Sequence, residues 1–502
     1  MIHSVHVRSH RLTTALKDAG LLVAVAGTLP EFVDAITDDS RAVKPGGVFV
    51  AVRGVDRDGH EFLGAAEQGG VTAAIVEDAE ATALPSWVVS DARRAAAIAA
   101  ATFYGEPSHA LTLVGVTGTN GKTTTVGMLR HLLDAADVRA ASIGTLGVLV
   151  GSEGIPLEGG GGLTTPGPIE LQRILRELVN AGVGTVAMEV SSHSLHQRRV
   201  EGIQFAVAVF TNFTRDHLDY HKTMEAYFAA KASLLQWLTP NGAAIVNADD
   251  PAWRTLPVAP RLVTFGTFDA AAVSTDVSAE LVHYTPRGSS WLLATPARNA
   301  PVELPLIGEF NVANALGAAA TAFALGHAPE EIAARLSTMP QVPGRLEIIG
   351  DEPTILRDYA HTPDALERAL LAMRPITLGK LIVVFGAGGD RDRGKRPLMA
   401  QVADRLADIV VVTSDNPRTE DPERILDDIV APLAPGRYER IEDRRAAIAR
   451  AITVADPARD VVLLAGKGHE TYQIRGTVKH HFDEREIVQD ILAGRNTAAG
   501  RA

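Results

Sequence analysis

The stretch Gly115-Val-Thr-Gly-Thr-Asn-Gly-Lys-Thr-Thr-Thr125 combines glycines, a lysine and threonines at a spacing suited to phosphate chemistry. Glycines let backbone N–H groups converge on one anion, a helix N-terminus favours negative charge, and Lys122 adds a full positive charge. The chemistry implied is the cradling of a nucleoside triphosphate. The common spacing G-x-x-x-x-G-K-[ST] is not met, because Val116 stands five residues before Gly121. Gly118 takes the part of the first glycine, so the loop is a shortened variant. The plainer alternative is a glycine-rich turn that binds nothing; Lys122 next to Thr123, Thr124 and Thr125 argues against it.

Hard oxygen donors accompany this loop. Thr123 or Thr124 can hold Mg²⁺ through a hydroxyl, and Glu189 can add a carboxylate oxygen. A solvent-facing strand-end carboxylate is the bland reading of Glu189, but Ser191-Ser192-His193 follow it at once. His217 and His221 stand four apart, a spacing open to misreading as a zinc pair. Asp216 and Asp219 lie beside them and no third ligand follows in pattern, which favours a Mg²⁺-side role for His217.

Such groups need strand ends to carry them. A short apolar run, 111–116, precedes the loop, and a helix is predicted over 123–136. Further apolar runs fall at 183–190, 205–210, 243–246, 381–385, 409–412 and 461–465, separated by helix-like stretches. That alternation predicts an α/β protein with parallel sheets. The polar motifs cluster just after these runs: Glu189 to His193, Thr211 to His217, Gly386-Ala-Gly-Gly-Asp-Arg391, Asp415-Asn-Pro-Arg418 and Gly466-Lys-Gly-His-Glu470. Open α/β sheets bind ligands at the carboxyl ends of their strands, so a cleft between two domains is expected. Domains are expected at 1–110, 111–342 and 343–502. The first contains a turn at Lys44-Pro45-Gly46-Gly47, and the tail after Gly494 is expected to be disordered.

Composition excludes several classes. A chain of 502 residues, with 48 basic against 60 acidic residues and a net charge of −12, has ample core and no long basic run. Nucleic acid and anionic membrane surfaces are not expected partners. The sequence has no cysteine, so disulfides, thiolate catalysis and cysteine-ligated zinc are ruled out. No apolar stretch reaches transmembrane length, and the run 21–27 reads as a strand or helix end rather than a signal-peptide core. A cytoplasmic monomer is expected.

Taken together, Thr117-Gly-Thr-Asn-Gly-Lys-Thr-Thr124, Glu189-Val-Ser-Ser-His193, Thr211-Asn-Phe-Thr-Arg-Asp-His217 and Tyr227-Phe-Ala-Ala-Lys231 occur in the order seen in one family. Asn311-Val-Ala-Asn314, Gly344-Arg345 and Asp358-Tyr-Ala-His361 continue it. With these motifs the chain resembles the Mur ligase family over nearly its whole length. The resemblance implies three domains: one for a UDP end, a central P-loop-type ATPase, and a C-terminal Rossmann-like domain for an amino acid. It implies an ATP- and Mg²⁺-dependent enzyme that makes amide bonds in peptidoglycan precursors through an acyl phosphate. Within the family it points to addition of meso-diaminopimelate to UDP-N-acetylmuramoyl-L-alanyl-D-glutamate.

The resemblance also assigns residues. Gly118, Thr119, Asn120, Gly121 and Lys122 would bind the phosphates of ATP, with Asn311 and Asn314 on the adenine side. Arg345, Asp358 and His361 would be C-terminal ATP contacts. Thr123, Thr124 and Glu189 would serve a first Mg²⁺, and His217 with a carbamylated Lys231 a second; without the resemblance Lys231 reads as a solvent-facing helix lysine. Lys122, Glu189, His217 and Lys231 would form the catalytic set. Ser40, Arg41, Thr164, Thr165, Ser191, Gln197 and Arg199 would meet the UDP substrate, although short Ser/Thr motifs are also ordinary turn and cap residues.

Arg391, Asp415, Asn416, Pro417, Arg418, Gly466 and Glu470 would hold diaminopimelate. The Arg418 fork suits its distal carboxylate and Glu470 its distal ammonium. A proline turn with an exposed arginine is the bland reading of 415–418. The competing functions are the same ligation with L-lysine or another diamino acid, folate polyglutamylation, and a non-catalytic ATP-binding regulatory protein.

Overall fold

The computed structural model describes residues 6–54, 57–160, 162–267 and 275–499, with the backbone alone at 495–499. The chain forms two compact units. The first comprises Met1–Gly266, Ala270–Val277 and Gly317–His327, and the second the remainder.

In the first unit, residues up to Phe103 build a five-stranded sheet in the order Leu22–Ala26, Ser86–Val89, Ala73–Val76, Val48–Val50 and Ile36–Thr37. The last four run parallel and Leu22–Ala26 is an antiparallel edge. The helices Ser9–Asp18 and Ala92–Phe103 cover one face, packing Leu12, Leu16, Ala96 and Ala99 on Val48, Ile75 and Trp87. Asp91 caps the second helix by accepting from Arg94 N, as an N-terminal aspartate should.

A second sheet in this unit orders its strands Ile155–Leu157, Gly147–Val150, Arg139–Gly144, Val183–Glu189, Thr112–Thr117, Phe205–Phe210, Leu238–Asn247 and Arg261–Thr267. The six from Arg139–Gly144 onward are parallel, and their Val- and Ile-rich sequences are buried on both faces, as a helix-covered parallel sheet requires. Register matters here. Glu189 pairs with Val116 and Phe210 with Thr117, so three strands end level and deliver Glu189, Thr117 and Thr211 to one edge. The helix Pro168–Asn180 stacks Leu171, Ile174, Leu175 and Leu178 on this sheet while its Ile169 joins the neighbouring core. Arg176 then ties it to the first sheet's last helix, donating to the Tyr104 carbonyl at 2.7 Å.

The second unit contains a six-stranded sheet ordered Glu347–Gly350, Thr354–Asp358, Val461–Ala465, Leu381–Phe385, Ile409–Val412 and Glu439–Arg440. All pairs are parallel except the first. Period-two alternation divides its side chains between two cores. Leu381, Val383, Phe385, Leu463 and Val412 face the helices Pro363–Met373, Lys395–Leu406 and Pro422–Val430. Ile382, Val384, Leu464 and Val411 face the helices Arg444–Val454 and Glu484–Ala499. Most of an antiparallel meander, Val277–Thr285, Gly288–Ala294 and Ala300–Leu304, also belongs to this unit.

Two expectations change. The sheets are mixed rather than purely parallel, because short hairpins such as Arg139–Gly144 with Gly147–Val150 carry no long apolar run to mark them. The tail is not irregular after Gly494: the helix Glu484–Ala499 continues through it, while 500–502 lie outside the described residues. No described helix is long and apolar enough to cross a membrane.

Candidate active site

Phosphate chemistry centres on the end of Thr112–Thr117. Gly118 takes φ 147°, where a side chain is strained, and a Cβ there would meet Thr211 Oγ1 at 1.9 Å. Gly121 takes φ 85° and starts the helix Lys122–Leu133. The predicted helix thus begins one residue earlier and ends three earlier than 136. Cross-links from the next strand end hold the loop: Thr119 N donates to Asn212 O at 2.7 Å, Asn120 N to Asn212 Oδ1 at 2.9 Å, and Thr211 Oγ1 to Asn120 O at 2.7 Å. Thr123 and Thr124 lie buried in the first helical turn.

Two lysine side chains share one carbonyl. Lys122 Nζ donates to Gly118 O at 2.9 Å and Thr119 O at 2.8 Å, while Lys231 Nζ reaches Gly118 O at 2.6 Å. Lys231 sits on the helix Met224–Ala232, is 1% exposed, and lies 4.6 Å from the centroid of the Tyr227 ring. Its bland reading as a solvent-facing helix lysine does not hold. Burial, reinforced by Lys122, drives its pKa well below the ordinary amine value, and Asp216 only partly opposes this. His217, at φ 52°, stands nearby; burial lowers its pKa first, Lys122 and Lys231 lower it further, and Asp216 pulls the other way.

Glu189 is also buried, accepting from Thr145 N at 2.8 Å and Thr145 Oγ1 at 3.2 Å. His221 Nε2 lies 3.0 Å from Ser192 Oγ. Among the described residues no three His, Asp or Glu side chains gather as a ready metal cage.

Beside Glu189 the predicted UDP-substrate residues come together. Thr165 Oγ1 donates to Glu189 O at 2.9 Å and accepts from Ser191 N at 3.1 Å; Arg199 donates to Thr165 O at 2.8 Å and to Gln197 Oε1 at 2.7 Å. Thr164 Oγ1 is 3.3 Å from Thr145 Oγ1. Ser40 and Arg41 do not join this network: Arg41 is exposed and paired with Asp39 at 2.8 Å. Their turn lies within electrostatic reach of the helix Pro168–Asn180, because Glu170 adds to the burial that raises the Asp38 pKa.

The second unit holds the other predicted residues. Asn311 Nδ2 caps back onto Ile307 O at 2.8 Å, and Asn314 Nδ2 bonds Asn311 Oδ1 at 3.3 Å. Arg345 lies 4.8 Å over the Tyr359 ring, and Asp358 accepts from Leu346 N at 2.7 Å. Burial pushes the Asp358 carboxyl up to about 6, with Arg345 opposing. His361 Nδ1 is 2.8 Å from Tyr359 O.

Around Asn416, the motifs 415–418 and 466–470 meet. Asn416 Nδ2 donates to Glu470 Oε2 at 2.8 Å, and its Oδ1 accepts from Ile474 N at 2.9 Å. Arg418 takes φ 52° after Pro417, donates through Nη1 to Gly389 O at 2.8 Å and through its backbone to Ile474 O. Gly466 takes φ 114°, and a Cβ on it would meet Asp415 Oδ2 at 2.5 Å. Burial raises the Tyr472 phenol pKa, Glu470 and Asp415 add to the rise and Arg418 opposes it, so both signs of charge act on this phenol. Arg391 is exposed, its Nη1 donating to Asp390 O at 3.1 Å.

Three family models match in sequence: "Mur ligase family, catalytic domain" over 33–104, "Mur ligase middle domain" over 116–322 and "Mur ligase, glutamate ligase domain" over 344–468. The UDP-N-acetylmuramoyl-L-alanyl-D-glutamate–2,6-diaminopimelate ligase of Geobacter metallireducens is 44% identical over 495 residues, covering 92% of this chain and 94% of its own. The chain belongs to the Mur ligase family. A protein of the same name from Synechococcus elongatus is 46% identical, with 93% and 95% covered. A solved structure, also titled as a UDP-N-acetylmuramoyl-L-alanyl-D-glutamate–2,6-diaminopimelate ligase, is 34% identical with a TM-score of 0.66, and 94% of this chain and 98% of that one are covered.

In this Mur ligase, sequence reasoning missed some residues at the sites. Thr145, which holds Glu189, lies in a hairpin without a motif. Tyr227 and Lys467 sit inside motifs read for their neighbours, so their chemistry was visible and their orientation was not. Arg444 has no local signal at all; it bonds Ser414 O and Ala465 O, one residue before Asp415 and Gly466.

Proposed function

We propose that this chain is an ATP-dependent acid–amino-acid ligase that adds meso-diaminopimelate to UDP-N-acetylmuramoyl-L-alanyl-D-glutamate, as a cytoplasmic monomer in peptidoglycan precursor synthesis. The observation that carries the reading is the Asn416 cluster, where Asn416 holds the Glu470 carboxylate and Gly389 O, close by, holds the Arg418 guanidinium. A diamino acid with a distal carboxylate and ammonium needs that pair of charges. The names of the relatives support it. Domains 1–110, 111–342 and 343–502 would bind the UDP end, ATP and the amino acid in that order.

ATP transfers its γ-phosphoryl group to the acceptor carboxylate, giving an acyl phosphate and ADP. The diaminopimelate amine then attacks the carbonyl carbon, and the tetrahedral intermediate expels phosphate as the nitrogen loses its proton. Positioning and charge neutralisation dominate such a transfer. The loop 118–121 and Lys122 would hold the β- and γ-phosphates, and Asn311, Asn314, Arg345, Asp358 and His361 the rest of ATP. Thr164, Thr165, Ser191, Gln197 and Arg199 would orient the acceptor beside Glu189, with Ser40 and Arg41 toward the UDP end.

The donor set suits Mg²⁺, which takes one or two carboxylates together with hydroxyls, phosphate oxygens and water. Thr123, Thr124 and Glu189 would hold one ion, and His217 with carbamylated Lys231 a second. Bound Mg²⁺ supplies charge neutralisation on the phosphates. Carbamylation fits Lys231 on chemical grounds. A neutral amine adds CO₂ and releases a proton, and the resulting anion would turn repulsion from Lys122 into attraction. Arginine cannot replace it.

Phosphate release, measured with ATP and UDP-N-acetylmuramoyl-L-alanyl-D-glutamate, should depend on added meso-diaminopimelate. Release with L-lysine alone would overturn the substrate assignment, and no release with any amino acid would overturn the enzyme.

A further inference from the structure

Lys467 lies fully buried at the second unit's amino-acid site, with no role yet assigned to it. A buried ammonium is tolerated where its protons find partners. Lys467 Nζ is 3.2 Å from Asn416 Oδ1 and 3.4 Å from Glu470 Oε2, and the Tyr472 and Phe482 ring centroids lie 5.8 and 5.9 Å away. The backbone forces this placement. Gly466 at φ 114° and Gly468 at φ 54° bracket the lysine, and a Cβ on Gly468 would meet Tyr359 Cβ at 2.7 Å. The turn closes with Glu470 N donating to Lys467 O at 3.0 Å.

The consequence falls on two neighbours. Asn416 Oδ1 faces two donors, Lys467 Nζ and Ile474 N, so the amide cannot flip and its Nδ2 must point at Glu470. Glu470 Oε2 is engaged by both Asn416 and Lys467, while among the described residues no hydrogen bond reaches Oε1. One carboxylate oxygen is therefore fixed and the other left to receive a ligand's ammonium. We propose that Lys467 is a positioning residue for the diamino acid, locking the Asn416 amide and the Glu470 carboxylate in the orientation that takes the distal ammonium.

This rests on the ligase reading above, and the assay separates the two. Wild-type enzyme without diaminopimelate-dependent phosphate release would sink the ligase reading itself. Given that activity, Lys467→Met, which keeps the length and removes the charge, should raise KM for diaminopimelate about tenfold or more, since it strands buried acceptors. KM for ATP and for the UDP substrate, and kcat at saturating diaminopimelate, should stay near wild type. Adding Lys467→Met to Asn416→Ala should then cost little more than Asn416→Ala alone. Lys467→Gln keeps one donor and should fall between; it carries the test if the methionine variant does not fold. An unchanged diaminopimelate KM, or a parallel rise for all three substrates, would overturn the inference.

Discussion

Lys231 shows how far a single residue's surroundings can reverse its ordinary chemistry. The fold shifts it toward its neutral form, because burial and Lys122 both penalise the ammonium. Between its lowered pKa in the fold and the ordinary value of 10.5, this lysine binds more protons in the unfolded chain than in the folded one. Stability therefore rises with pH across the window from the folded pKa up to that value, and unmodified Lys231 destabilises the protein at neutral pH. In CO₂-depleted buffer, Lys231→Met should raise the thermal midpoint at pH 7, and the gain should shrink as pH approaches 10.5. The same variant should lose about a hundredfold or more in kcat, in line with removal of a charge-stabilising group. A midpoint lowered at pH 7 would mean that the ammonium is well solvated after all.

At the scale of elements, the strand-end loops of the second unit depend on one buried ion pair. Arg444 opens the helix Arg444–Val454, Glu484 opens Glu484–Ala499, and both side chains are 0% exposed with Nε and Oε1 2.8 Å apart. The guanidinium also holds Ala465 O at 2.9 Å and Ser414 O at 3.4 Å. Removing one partner strands the other's charge, so Arg444→Met should cost about 3–5 kcal/mol of stability, read by urea unfolding. Replacing both, with Arg444→Met and Glu484→Leu, should recover much of that loss. The double variant should still bind diaminopimelate poorly, because the two carbonyls would lose their common anchor. A single variant as stable as the wild type would show that the pair is dispensable.

For the whole molecule, the division of labour between units predicts how ligands act on unfolding. Thr164, Thr165, Ser191, Gln197 and Arg199 lie in the first unit, and Asp415 to Arg418 with Gly466 and Glu470 in the second. A ligand that binds a native unit stabilises it by about 2.7 kcal/mol at a hundred times its Kd. Calorimetry should accordingly resolve two transitions, with diaminopimelate raising one and UDP-N-acetylmuramoyl-L-alanyl-D-glutamate the other. A single transition moved equally by either ligand would contradict this division.

Much of this was legible in the sequence because it is written locally. Glycines at Gly118, Gly121 and Gly466 mark backbone that other residues strain to adopt, and apolar runs mark strands such as Leu381–Phe385 and Val461–Ala465. Motif order sufficed for the family. What neighbours do to a side chain is not local. That Lys231 is buried beside Lys122, that Lys467 points inward at Asn416, and that Arg444 clamps two distant strand ends follow from strands brought level by register across tens to hundreds of residues. Residue types and their order along the chain were determined by the sequence itself. Burial and the partners of each lysine, and the shift of Lys231 toward its neutral form, were decided by tertiary packing, because desolvation and hydrogen bonding depend on what surrounds a group in space.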